Sequence, residues 1–207
     1  MKQKSLLFVL ILFIFLQISA SAQEKYLGAA ISNNAPSLPV TGIRNVFQGG
    51  FHPGIDVNYS KKFNKKEVNQ WLCKVNAGLI WQKYVQTLFT VSGMAVYRNN
   101  HFKSLNFDAG IGAGYGAAFE GGAVLELNKN GVYETRSKFS PRSQFIILLQ
   151  AGLVYKLNKD NAQSMAITLH AKTIIQGPFV KGYVPLLPIN AIELGVLIPL
   201  KKKNENK

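Results

Sequence analysis

The feature that most constrains this chain is the alternation of apolar and polar residues over unusually long segments. Between residues 105 and 119 one face consists of Leu105, Phe107, Ala109, Ile111, Ala113, Tyr115, Ala117 and Phe119. The opposite face consists of Asn106, Asp108 and the glycines at 110, 112, 114 and 116. A period of two residues predicts a β-strand. Strands of soluble domains average about 5–6 residues, so this one is long.

Six further segments share this period and predict strands at 51–63, 71–82, 85–97, 143–157, 165–172 and 192–198. An eighth, weakly patterned strand is predicted in Lys25–Ser32. Long connections at 33–50, 120–141 and 176–188 alternate with short ones at 64–69, 99–102 and 159–162. Membrane barrels with both ends in the periplasm alternate long outer loops with short inner turns. The pattern predicts an all-β, antiparallel, up-and-down transmembrane barrel of about eight strands.

Alternation alone does not determine which face is inside. A soluble periplasmic, lipocalin-like barrel that binds an apolar ligand would show the same period with the apolar face inward. Charge-free apolar faces and aromatic residues near their ends favour lipid outside. The polar face also carries apolar residues, which fit the soluble alternative: Leu72, Ile80, Leu88, Met94, Val96, Ile146, Leu148 and Val154.

The chain begins with the three parts of a secretory signal peptide. Basic residues precede an apolar run from Leu6 to Leu16, and Ala20-Ser21-Ala22 forms a small-residue cleavage site. We therefore expect a signal peptide at 1–22, a barrel at 23–200 and a basic tail at 201–207. This predicts export to the cell outer membrane of a bacterium with two membranes. Cys73 is the only cysteine, so no intramolecular disulfide can form.

The chain resembles the small bacterial outer-membrane β-barrel proteins. The resemblance covers about residues 50–200 and rests on four phrases: Phe51-His52-Pro53-Gly54, Gln176-Gly177-Pro178-Phe179, Pro185-Leu186-Leu187-Pro188 and Glu193-Leu194-Gly195-Val196. The resemblance implies outer-membrane lipid, lipopolysaccharide and the barrel assembly machinery as partners. It does not imply a particular activity. Such barrels commonly end on an aromatic residue, whereas the last strand here ends at Ile198-Pro199-Leu200.

The polar face predicts a charged cluster inside the barrel, formed by Asp56, Lys74, Asp108, Arg142, His170, Lys172 and Glu193. Buried charges are tolerated when they are partnered, which predicts structural ion pairs. A polar ligand site is the alternative. The sequence contains no clustered Cys and His ligands and no phosphate-binding glycine loop, so we predict no metal or cofactor.

A lipid A-modifying enzyme is the alternative function. A deacylase of this class would carry a His and a Ser two residues apart on one strand, and no Ser stands two residues from His52, His101 or His170. The net charge of +14 would suit nucleic acid, but export argues against that partner. Residues 124–127 and 132–135 around Lys129-Asn130-Gly131 predict a hairpin in the longest loop. We therefore predict a structural or surface-binding barrel that acts through its long loops and is neither an enzyme nor a porin.

Overall fold

The computed structural model describes residues 24–39, 41–83, 85–102, 104–122, 125–127, 131–135, 141–158, 164–179 and 184–200. The predicted signal peptide and the basic tail at 201–207 lie outside these ranges. The described chain forms a closed antiparallel barrel, which confirms the predicted fold class. No helix in these ranges is long and apolar enough to cross a membrane.

Eight long strands build the barrel: β1 (Lys25–Pro36), β2 (Pro53–Lys62), β3 (Asn69–Gln82), β4 (Gln86–Asn99), β5 (Leu105–Glu120), β8 (Arg142–Lys156), β9 (Ala166–Gly177) and β10 (Leu187–Leu200). Each pairs with the next along the chain, and β1 pairs with β10 to close the sheet. Between β5 and β8, strands β6 (Leu125–Leu127) and β7 (Tyr133–Thr135) form a separate hairpin. The weakly patterned first strand and the hairpin in the longest loop are both confirmed.

The stagger of the strands follows from their register. Starting at Lys25, the paired residues around the barrel are Lys61, Cys73, Ala95, Ile111, Leu149, Thr173 and Asn190. Asn190 pairs with Ala35, so the path returns to β1 ten residues beyond its start. Such a stagger tilts the strands by roughly 35–45° from the barrel axis. Eight strands enclose an interior just wide enough to be filled by side chains.

The apolar face of the strands points outward. Ile31, Val91 and Ile111 are 65%, 59% and 60% exposed, whereas the charged residues Lys172 and Glu193 are buried in the interior. A soluble protein would bury these aliphatic side chains. The structure is therefore that of a transmembrane barrel, and the lipocalin-like alternative is wrong.

Aromatic side chains mark the two edges of the outward apolar band. One ring lies near the end that carries the chain termini and comprises Trp71, Tyr97, Phe107 and Tyr155; the other lies near the opposite end and comprises Trp81, Phe89, Tyr115 and Phe145. Trp71 and Tyr97 contact each other with ring centroids 5.3 Å apart. Such rings sit at the two membrane interfaces, about 25 Å apart.

The apolar residues on the polar face form an internal core. Leu88, Ile146, Leu148 and Val154 are all at most 2% exposed, and they belong to one cluster of buried side chains. A narrow barrel has no room for a water-filled lumen, so part of its interior is packed with apolar side chains. This core explains why the alternation is imperfect without placing the apolar face inside.

Glycines on β5 and β8 allow the closest approach between neighbouring strands. A Cβ atom at Gly114 would lie 2.2 Å from the Val91 carbonyl oxygen, and one at Gly152 would lie 2.2 Å from that of Leu169. Contacts of this length to backbone atoms cannot be relieved by a side-chain rotation. The coiling of the sheet at these two positions therefore requires glycine.

Three strands are longer at their outer ends than their alternation predicts. β1 continues to Pro36, β9 continues to Gly177, and β10 begins at Leu187. Polar residues stand on the outward face there, including Asn33, Thr173 and Asn190. The pattern fails because the connection between β1 and β2 covers this part of the wall. Asn33 and Asn190 donate to carbonyls of the connection, and Thr173 donates to Asn190.

Candidate functional site

The centre of the interior holds the charged group that the sequence predicts. Lys172 Nζ donates to Asp56 Oδ2 at 3.1 Å and to Glu193 Oε1 at 2.9 Å. The three residues come from β9, β2 and β10, and all are more than 90% buried. Alternation places each of them inward, and the register brings them to one level. One ammonium group thus bridges two carboxylates inside the barrel.

A second ion pair lies closer to the end that carries the termini. Arg98 on β4 donates to both oxygens of Asp108 on β5, with distances of 2.7 and 2.9 Å. His170 Nε2 lies 3.7 Å from Asp108 Oδ2. Sequence reasoning missed Arg98 because it is the last charged residue before a basic inner turn. Its position one residue after outward-facing Tyr97 was the available signal that it points inward.

Lys74 lines a small cavity together with residues of both groups. Its Nζ donates to Gln150 Oε1 at 3.1 Å across the interior. The cavity has a volume of about 20 Å³ and is also lined by Arg98, Asp108, His170 and Glu193. A volume of this size accommodates about one water molecule, and His170 Nε2 and Glu193 Oε2 have no hydrogen-bond partner among the described residues.

Arg142 is the one predicted member that lies outside the central cluster. It forms an ion pair with Glu120, with Nη1 3.4 Å from Oε1, at the outer mouth of the barrel. Its guanidinium also lies 4.8 Å from the ring centroid of Phe179. Arg142 is the first residue of β8, so it is too far along the strand to reach the centre. The structure therefore places Arg142 at the outer mouth and not among the central ion pairs.

Two further layers separate the central charges from the outer mouth. The first is apolar and comprises Ile80, Leu88, Ile146, Ile174 and Ile189, each at most 5% exposed. The second consists of amides on four strands: Gln82, Gln86, Gln144 and Gln176, each at most 2% exposed. Most of their amide atoms have no hydrogen-bond partner among the described residues. The apolar layer closes the interior towards the outside.

The three histidines occupy different parts of the molecule. His52 lies at the outer end before β2, His101 lies in the β4–β5 turn, and His170 points into the interior. Thr168 lies two residues before His170 and points into the interior on the same face. A hydroxyl group is therefore present, although a search for a serine two residues from a histidine does not find it, because the residue is a threonine. No hydrogen bond joins the two within the described residues. Both side chains are at least 95% buried in the lumen, away from lipid acyl chains.

The irregular segments gather at the end opposite the termini. They are the β1–β2 connection with a 3-10 turn (Thr41–Arg44) and helix α1 (Asn45–Gln48), the β5–β8 connection with its hairpin, and the β9–β10 connection. Gly131, with φ of 76°, supplies the left-handed conformation in the β6–β7 turn. Between β3 and β4 the chain turns tightly, and Val85 N donates to Gln82 O. Three long connections therefore share one surface.

The fold matches known outer-membrane barrels of the same size. Neisserial surface protein A (NspA) superposes with a TM-score of 0.50 at 12% identity, over 86% of this chain and 97% of that one. The outer membrane enzyme PagL gives 0.47 at 15% identity, over 84% and 99%. Ail, the attachment invasion locus protein of Yersinia pestis, gives 0.46 at 14% identity, over 86% and 97%. No protein-family model and no curated protein matches the sequence.

The closed barrel, its apolar exterior and its charged interior define a small eight-stranded β-barrel protein of the bacterial outer membrane. The superposition with NspA shows that the two proteins have the same barrel fold. Outer-membrane barrels have short periplasmic turns and longer extracellular loops, and this rule assigns the end with the three long connections to the cell surface.

Proposed function

We propose that this protein is a surface-binding barrel whose outer connections contact an external partner. The central ion pairs serve as structural supports of the barrel. The observation that carries this proposal is the contrast between the two parts of the molecule. The interior is closed by packed apolar side chains, whereas the outer end carries three long connections and a hairpin. Binding residues concentrate on loops that a rigid scaffold positions.

Replacement of the hairpin tests this role. Exchange of residues 123–138 for a short Gly/Ser turn should leave the barrel folded, because β6 and β7 pair only with each other. Heat-modifiable migration on gels measures folding. Intact cells that carry the wild type should bind at least one surface in a panel of immobilised glycans and proteins, and cells with the shortened loop should lose that binding.

The same cells distinguish the binding barrel from the lipid A enzyme. Mass spectrometry of their lipid A should show one acyl pattern with the protein, without it, and with His170→Ala. A chain lost or gained only when His170 is present would replace the proposed function with an enzymatic one. Unchanged cell binding after loop exchange would also contradict it.

We further expect the purified protein to conduct no porin-sized current in planar bilayers. Leu88, Ile146 and Ile189 are at most 1% exposed and block the path between the central charges and the outer mouth. Single-channel recording on protein free of porin contamination measures this directly. The double variant Leu88→Ala/Ile146→Ala is the matched comparison, because it removes apolar bulk without touching the ion pairs. Stable large currents through the wild type would contradict a filled lumen.

A further inference from the structure

The outward face of the eight barrel strands carries charge at one place only. Lys25 on β1 and Lys61 on β2 stand on this face. They continue the outward series that contain Leu27 and Tyr59, which are 49% and 38% exposed. The other acidic and basic residues of these strands stand on the inward face. Lys25 and Lys61 are direct partners in the pairing of β1 with β2. The only charges that these strands turn towards lipid are therefore both positive and adjacent.

The aromatic ring nearest the chain termini gives the depth of this pair. Phe63 follows Lys61 on the same face, and its backbone nitrogen donates to the Trp71 carbonyl at 3.0 Å. The ring centroids of Phe63 and Trp71 are 6.5 Å apart. Trp71 belongs to that aromatic ring, which marks the periplasmic interface of the membrane. Lys61 and its partner Lys25 therefore lie where the hydrocarbon meets the phosphates of the inner leaflet.

The two lysines repel each other in this arrangement. Side chains directly opposite each other on neighbouring strands have Cβ atoms about 4.5–5.5 Å apart, and like charges in such positions are destabilising. Glu24 is the acidic residue nearest to Lys25 along the chain, but its carboxylate is held on the inward side. It accepts hydrogen bonds from the Tyr26 hydroxyl and from Lys62 Nζ, the latter at 3.3 Å. An anion between the two outward ammonium groups would offset their repulsion.

The neighbours of the pair indicate that this anion is amphipathic. The next outward pair towards the middle of the membrane is Leu27 with Tyr59. The pair after it is Ala29 with Val57. These side chains all face lipid, and Val57 is 50% exposed. A ligand at the lysines therefore has its charged end at the interface and meets apolar side chains beyond it. A phospholipid has this form, and its phosphate accepts charge-assisted hydrogen bonds from ammonium groups.

We propose that Lys25 and Lys61 together bind the phosphate of one anionic phospholipid in the inner leaflet. Its glycerol and the first part of its acyl chains lie along Leu27 and Tyr59. Phosphatidylglycerol carries a net negative charge that the lysines attract, whereas the amine of phosphatidylethanolamine balances its phosphate and is repelled by them. The site therefore selects the anionic headgroup. It lies at the opposite end from the outer connections and does not depend on their proposed role.

The test measures lipid bound to the purified protein in detergent by native mass spectrometry. The protein is mixed with equal amounts of phosphatidylglycerol and phosphatidylethanolamine that have the same acyl chains, and the wild type should retain one phosphatidylglycerol in preference. Lys61→Gln should lower this preference about fivefold, the contribution of one lysine near an anionic lipid surface. The double variant Lys25→Gln/Lys61→Gln should lower it about 25-fold. Water-soluble glycerol phosphate should not displace the lipid, because it lacks acyl chains.

The matched control is Lys65→Gln/Lys66→Gln. Both residues are exposed in the turn between β2 and β3, so the control removes the same charge from the same end of the molecule. It should change the preference less than about twofold, since charges away from the bound phosphate are screened by salt. Equal retention of both lipids by the wild type, an equal loss in the control, or displacement by glycerol phosphate overturns the site.

A stability measurement gives a second readout in the membrane. Heat-modifiable migration verifies that the variants fold, because removal of two repelling charges does not weaken strand pairing. In vesicles, phosphatidylglycerol should raise the resistance of the wild type to urea more than that of Lys25→Gln/Lys61→Gln, since a ligand stabilises the state that binds it. An equal increase in both proteins overturns the site, and a smaller increase in the double variant supports it.

Discussion

Lys172→Met should destabilise the barrel by about 3–5 kcal/mol, the cost of leaving buried charges without their partner. Lys172 bridges Asp56 and Glu193 at 3.1 and 2.9 Å, and its loss leaves two carboxylates close together in a water-poor interior. Methionine preserves most of the side-chain volume, so the effect reports charge and not packing. Urea unfolding in phospholipid vesicles, followed by tryptophan fluorescence, measures the free energy.

Two further variants separate this effect from general damage. Lys156→Met removes a half-buried lysine that has no carboxylate partner in the described residues, and it should cost less than about 1 kcal/mol. The triple variant Lys172→Met/Asp56→Asn/Glu193→Gln removes all three charges together and should recover most of the stability. Equal losses in Lys156→Met and Lys172→Met would contradict the structural role of the central ion pairs.

Ile111→Arg should destabilise the folded state by about 2–4 kcal/mol, because it places a cation against lipid at the bilayer midplane. Ile111 is 60% exposed on the outer face of β5 and lies four residues from each of Phe107 and Tyr115. These aromatics belong to the inner and outer rings. The same vesicle unfolding experiment measures the loss.

Ser143→Arg supplies the control for depth. Ser143 lies on the same outward face but at the outer edge, where its hydroxyl is 2.7 Å from the Tyr115 hydroxyl. Cations near the interface cost only about 0–1 kcal/mol. If Ile111→Arg is as mild as Ser143→Arg, this face does not contact hydrocarbon.

The alternation of apolar and polar residues predicts the barrel because each strand has one face against lipid and the other against a more polar interior. Along its whole length, a strand such as β5 faces lipid on one side and the filled lumen on the other. The strand count follows from the alternation, whereas the sidedness also required the charge-free apolar faces and the aromatic residues near their ends. The outer ends of β9 and β10 could not be predicted, because Thr173 and Asn190 face a connection that folds back only in three dimensions.

The interior was predictable in membership but not in pairing. Parity along each strand places Asp108 and Lys172 inside, whereas their partners depend on the ten-residue stagger, which no single strand contains. Arg142 points inward by the same parity, but only the closed sheet shows that it lies at the outer mouth and not beside the central charges. The position of a residue along the barrel axis determines which charged side chain it contacts. That position depends on how the strands are staggered in the closed sheet.

The close approach of neighbouring strands at Gly114 and Gly152 has a consequence for how such barrels diverge. Lipid accepts almost any aliphatic or aromatic side chain, so outward positions can be exchanged freely, while the two glycines admit no Cβ atom. We therefore expect substitutions to accumulate at the outward positions over evolution, while the two inward glycines are retained. Two chains can then share a barrel fold at 12% identity.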